Sequence, residues 1–223
     1  MRTPLGAVAA LAAAVTLVTG CGSGDDWSRP HASPTPVGTL GAGFTDPSAP
    51  PTPEATVTPR PGSWDGVHPP EGYRVVLLTS GEDRPTRTLV TAVRSWAEEE
   101  HVDLRTVTAA HPSELLPKVT ESLGMGADLI VGAGNDLIDP LATVTPSRLS
   151  QRFLVVGAEL AEPTANVTSV DWSGASFRGE GLGMSSTYDP SSFTAARCAA
   201  AVRAGVAAVL SDLTGIVVWL DLH

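Results

Sequence analysis

Four polar clusters, each set just after an apolar run, hold the side chains best suited to recognition chemistry in this chain. Thr79, Ser80, Glu82 and Asp83 follow the run 75–78, and Gly134, Asn135 and Asp136 follow the run 129–131 and its glycine turn. Glu159 comes after 153–156, and Asp171 and Trp172 come after 167–170. The carboxylates of Asp83 and Asp136 can accept hydrogen bonds from ribose hydroxyls, Asn135 offers both donor and acceptor, and the Trp172 indole can stack on a ring. Each residue also has a plainer use. Asn135 or Asp136 most simply caps a following helix, Trp172 covers a sheet edge, and Glu82 with Asp83 forms a solvated loop.

Patterns for covalent or cofactor chemistry are missing. The sequence has no Gly-x-Ser-x-Gly elbow, and Gly132-Ala133-Gly134 lacks the third glycine of a dinucleotide fingerprint. Lys118 is the only lysine and lies in a helical pattern, so no phosphate-loop lysine exists. His101 and His111 have no cysteine or paired carboxylates near them at zinc-site spacing. No cofactor and no metal are expected, and the chain does not read as an enzyme. With 24 acidic residues against 14 basic ones, the net charge of −10 argues against a nucleic-acid partner, which needs a basic face.

The elements that would position these clusters alternate regularly. Residues 74–80 read as a buried strand, and a polar loop with Pro85 at a first helical turn follows. Leu89, Val90, Val93, Trp96 and Ala97 repeat at helical spacing. A second strand over 102–107 alternates like a sheet edge, and a helix over 112–123 is expected to be interrupted or bent near Pro117. Residues 129–131 are wholly apolar, the mark of a strand covered on both faces. A helix to about Pro146, strands over 152–157 and 167–172 (the latter short and alternating), an alanine-rich helix over 193–210 and a last strand over 215–220 complete the order. Such alternation implies right-handed crossovers and a mainly parallel sheet, whose ligands collect at the carboxyl ends of its strands.

The amino-terminal third reads differently. Arg2 precedes an uncharged stretch over 5–19, which is short of the roughly 20 residues of a membrane span but fits a secretory signal. Val18-Thr19-Gly20-Cys21 closes it and resembles a bacterial lipobox, which makes Cys21 the expected lipidation site. Buried acyl chains, at about 0.8 kcal/mol per methylene, would hold the protein on a membrane. From Gly22 to Gly72 prolines recur among Ser, Thr, Gly and Ala without any period, so an extended tether is expected, with Trp27, Phe44 and Trp64 as stray aromatics. His31 and His68 lie in it without partners at metal-ligand spacing. Cys198, in the alanine-rich helix, reads as a small buried thiol.

A lipoprotein signal, a Pro-rich spacer and this α/β order together resemble an extracytoplasmic solute-binding protein. More narrowly, residues 73–177 resemble the amino-terminal lobe of the basic-membrane-protein family, the purine-nucleoside-type binding lipoproteins of ABC importers. The resemblance rests on Gly126-Ala127-Asp128-Leu129-Ile130-Val131-Gly132-Ala133-Gly134, on Arg152-Phe153-Leu154-Val155-Val156-Gly157, and on Asn166-Val167-Thr168-Ser169-Val170 with Gly174-Ala175-Ser176-Phe177. It implies a type I periplasmic-binding fold, a nucleoside-like solute and an ABC permease as partner. Two departures stand out. Family members carry a second lobe that closes over the ligand, and here the chain ends soon after the first strand expected of it. Their first loop carries an aromatic residue, whereas residues 80–86 have none.

The expected architecture is therefore α/β: a Rossmann-like, mainly parallel sheet flanked by helices, a single lobe of a type I periplasmic-binding fold preceded by a disordered tether. The divisions are 1–20 for the lipoprotein signal, 21–72 for the tether from Cys21, and 73–223 for the solute-binding-like domain. The expected function is solute binding at the extracytoplasmic face of the cell membrane, as the substrate-binding component of an ABC importer. Ser80, Asp83, Asn135, Asp136, Asp171 and Trp172 are the candidate ligand-binding residues. The alternative is a ligand-free module acting through protein–protein contact, with the final strand 216–220 as an open edge for strand addition or homodimerisation.

Overall fold

A computed structural model describes residues 27–29, 33–160, 163–177 and 187–220. Cys21, the signal segment and His31 lie outside the described residues. In chain order the elements are the two-residue strands β1 (Val37–Gly38), β2 (Thr56–Val57) and β3 (Val67–His68), then β4 (Arg74–Ser80), α1 (Arg84–Glu99), β5 (Asp103–Ala109) and α2 (Leu115–Leu123). There follow β6 (Leu129–Ala133), α3 (Ile138–Val144), β7 (Arg152–Val156), β8 (Ala158–Glu159), β9 (Val167–Asp171), β10 (Ser176–Phe177), α4 (Ala195–Leu210) and β11 (Val217–Trp219).

Seven strands form one sheet in the order β2-β11-β9-β7-β6-β4-β5, and every neighbouring pair is parallel. All seven residues of β4 and all five of β6 are buried, which explains the lack of polar alternation in their sequences. Val75, Leu77 and Val131 face one layer with α1 and α4, while Val76, Leu78 and Ile130 face the other with α2 and α3. The expected edge position of the 102–107 strand is met, since β5 lies at one end of the sheet.

Of the two outcomes expected near Pro117, the interruption is the one found. The segment divides into a 3₁₀ turn over Pro112–Glu114 and α2, and Pro117 lies in the first turn of α2, where its missing N–H is not needed. β9 is fully buried despite its alternating polar residues. The Thr168 hydroxyl there donates to the Leu213 carbonyl at 3.2 Å, and burial of a polar side chain is tolerated when it is bonded in this way.

The larger correction concerns the proline-rich segment. Residues 33–72 form a strap laid along the domain rather than a free tether. Phe44, Trp64 and Val67 are buried in the same core cluster as α1 and α4, and Trp27 is buried against the opposite layer. β1 and β3 pair antiparallel within the strap. β2 pairs with β11, supported by the Glu54 N–H donating to the Gly215 carbonyl at 2.7 Å and the Val217 N–H donating to the Ala55 carbonyl at 3.0 Å. β11 is thus enclosed between β2 and β9, and the open edge expected at 216–220 is occupied by the chain itself. The edge strand on this side of the sheet, β2, is two residues long and flanked by prolines, a form that resists further pairing.

Candidate functional site

The sheet order places a switch point between β4 and β6. The chain leaves β4 toward α1 on one face and leaves β6 toward α3 on the other, and such divergence opens a crevice at the carboxyl ends of the strands. In register, Thr79 lies opposite Ala133, so both strands end at the same level. A cavity of about 140 Å³ sits there. Gly134 makes the close approach possible: its φ is +126°, and a Cβ on it would lie 2.7 Å from the Ser80 carbonyl oxygen.

One wall is the start of α1. Asp83 is its N-cap, taking the Thr86 N–H at 3.0 Å and the Thr86 hydroxyl at 2.7 Å. Pro85 occupies the first turn, as expected from the sequence. The facing wall is Gly134, Asn135 and Asp136. The expectation that Asn135 or Asp136 caps the third helix is corrected. The cap positions fall on Gly134 and Leu137, without a side-chain bond, and Asn135 and Asp136 are exposed inside a 3₁₀ turn. Ser80 and Ser176 add hydroxyls, both on largely buried residues.

The remaining wall comes from a residue that sequence reasoning missed. Tyr188 lines the cavity and is 45% exposed. Its ring packs edge-on against Phe193 with centroids 6.0 Å apart, and Phe193 packs edge-on against Trp172 at 5.0 Å. Gly157 admits the Phe193 ring, which a Cβ there would meet at 2.6 Å. Burial of part of the ring, with the Asp83 charge adding to it, pushes the Tyr188 phenol above its ordinary value. The only sequence signal for Tyr188 was a lone aromatic before Asp189-Pro190 in an otherwise polar, glycine-rich stretch.

Trp172 and Asp171 do not join this site, which corrects their nomination. Trp172 is 1% exposed, its indole N–H donates to the Ser192 hydroxyl at 3.0 Å, and Phe193 lies against its ring, so no ligand can stack on it. The Asp171 carboxyl is also buried and accepts the Trp172 N–H at 2.8 Å. Burial pushes it up to about 7; the Trp172 bond opposes the rise and the Glu159 charge adds to it. Glu159, in β8, is half-buried, and burial raises its carboxyl as well. Thr79 is buried, and its hydroxyl has no hydrogen-bond partner among the described residues. Glu82 is exposed beside Asp83, and its carbonyl accepts the Arg87 guanidinium. Of the six candidates, Ser80, Asp83, Asn135 and Asp136 are brought together.

No family model and no curated protein matches the chain. Among solved structures it is similar to an ABC transporter solute-binding protein of Aeropyrum pernix K1, at 23% identity and TM-score 0.41 over 45% of this chain and 29% of that one. A solute-binding protein of Conexibacter woesei DSM 14684 gives 21% identity and TM-score 0.37 over 45% of this chain and 35% of that one. One from Bradyrhizobium sp. BTAi1, solved with bound bis-tris, gives 13% identity and TM-score 0.33 over 87% and 60%. The matches span only about a third of the length of the first two proteins. What the chain itself displays is an α/β architecture, a parallel sheet with helices on both faces.

Proposed function

We propose that this chain is a lipid-anchored, extracytoplasmic solute-binding-like protein that takes a small solute at the β4–β6 switch point, as the substrate-binding component of an ABC importer. The observation that carries the reading is the cavity between Asp83 and Asp136, where Asn135, Asp136 and Tyr188 stay exposed and are not used to cap a helix. Ser80, Asp83, Asn135 and Asp136 are its polar contacts. Cys21 is the lipid attachment, and no described helix is long and apolar enough to cross a membrane. The resemblance to basic membrane proteins remains part of this reading, with a solute smaller than a whole nucleoside. A cavity of about 140 Å³ is well below the roughly 300 Å³ at which pockets begin to enclose drug-sized ligands. The alternative, a ligand-free interaction module, loses the open edge expected at 216–220, because β2 covers β11.

Native mass spectrometry of the mature chain, extracted from membranes without added ligand, tests the reading. The expected result is a protein carrying lipid on Cys21, together with a small-molecule increment reproduced as saturable stabilisation in thermal shift. An unlipidated, ligand-free mass that no compound in a panel of nucleosides, sugars and amines stabilises would reject it.

A further inference from the structure

We propose that the solute taken at the β4–β6 cavity is a small organic cation, an ammonium or guanidinium head, and that Tyr188 is the residue that selects it. This rests on the reading of that cavity as the solute site.

The cavity is built against anions. The N-terminus of the 16-residue helix α1 would ordinarily attract one, because its first N–H groups are unpaired and its dipole is positive there. Here Asp83 already sits on that end, with both carboxylate oxygens bonded to Thr86. An incoming phosphate or carboxylate would meet that charge on one side and Asp136 on the other. The nearby basic residues of α1 do not offset it: Arg84 and Arg87 line a separate groove between α1 and α4. The chain as a whole, at −10, draws cations toward it.

What remains suits a cation. Tyr188 supplies a partly exposed aromatic ring held in place by the Phe193–Trp172 pair behind it, and aromatic rings attract ammonium and guanidinium groups through their negative faces. Asp83 and Asp136 supply the countercharge. The Asn135 side chain and the hydroxyls of Ser80 and Ser176 supply acceptors for N–H donors. The volume admits a head group of this size and leaves a nucleoside largely outside.

Calorimetric titration of the mature chain decides the matter, with choline and agmatine as cationic probes, ribose and adenosine as neutral probes, and inorganic phosphate as the anion. At least one cation is expected to bind and phosphate is not. Tyr188→Ala and Asp136→Asn are each expected to weaken the cation about tenfold, while Tyr188→Phe, which keeps the ring, stays within about threefold. Both residues are exposed, so unchanged thermal unfolding of the variants separates lost binding from lost folding. Binding of ribose or adenosine without either cation would overturn the cationic class and leave the solute site standing. Failure of every probe would overturn both. Cation binding indifferent to Tyr188→Ala would overturn the role of Tyr188.

Discussion

Residues 73–220 bury apolar side chains by repetition, whereas residues 33–72 bury theirs one at a time. In the sheet, each strand places successive residues on opposite layers, so Val75 and Leu77 meet α1 and α4 while Val76 and Leu78 meet α2 and α3. The strap has no such period and is held at points: Phe44, Trp64 and Val67 in the core, two paired residues beside β11, and a contact of the His68 Nδ1 with Glu100 at 2.9 Å. An aromatic side chain buries roughly 150–250 Å² while ordering few torsions. Proline restricts the unfolded chain, so ordering the strap costs less than its length suggests. A segment can therefore belong to a fold without reading as secondary structure.

The largest test of this contrast removes the strap. A chain beginning at Gly72 loses Phe44, Trp64, Val67 and the β2 pairing together. Because a single buried Trp→Ala change costs about 3–5 kcal/mol, the loss is expected to exceed about 5 kcal/mol in urea unfolding. It also uncovers β11, so concentration-dependent association should appear in sedimentation. Trp64→Ala in the full chain, expected to cost about 3 kcal/mol, shows whether the effect belongs to the anchor or to an arbitrary cut. Equal stability of all three proteins would make residues 33–72 the free tether that their composition suggests.

That outcome bears on what can be read from sequence. The apolar runs at 75–78, 129–131 and 153–156 announced buried parallel strands because no polar residue interrupts them, and Pro85 marked the start of α1. Trp64 and Phe44 carried no such signal, since an isolated aromatic among prolines looks the same whether it is docked or free. At the site, Asp83 was legible as a loop carboxylate, but its use as the N-cap of α1 was not. Asn135 and Asp136 were misread as caps because the 3₁₀ turn begins at Gly134, which shifts the cap off both. Trp172 drew attention by its size, yet the same size is what the core used. Cys198 is a free, buried thiol in α4, as its alanine-rich surroundings indicated, and burial pushes it up to about 12.

A second test turns to the periodic part, where a carboxyl group is buried within the regularity. Asp171 is raised to about 7 by burial. Its unfolded value is about 3.9, so the folded state holds a proton that the unfolded state releases between these values. The stability from this group is therefore complete below about pH 4 and is lost as pH rises through 7. The difference is on the order of 4 kcal/mol. Asp171→Asn, which keeps the acceptor for the Trp172 N–H, is expected to flatten that part of the stability–pH curve relative to the native chain. Parallel curves for the two proteins would mean that Asp171 is ionised at no cost, and that the sheet tolerates charge as readily as the strap does.

The smallest effect is expected ahead of the strap, at the amino ends of the strands. Trp27 is buried there, its indole N–H donates to the Asp103 carboxylate at 2.6 Å, and the Arg105 guanidinium lies 4.1 Å from its ring centroid. Trp27→Phe keeps a ring for Arg105 but removes the hydrogen bond together with part of the indole's packing. Such a bond to a charged acceptor contributes about 1.5–3 kcal/mol when fully buried, but this one is only partly buried, so about 1 kcal/mol is expected in denaturant unfolding. Asp103→Asn, which keeps an acceptor, should cost less than Trp27→Phe. If Trp27→Phe instead costs as much as Trp64→Ala, point contacts in the strap and ahead of it act together. The strap would then be one cooperative element, as each strand of the sheet is, and the contrast between the two regions would lie in their sequences alone.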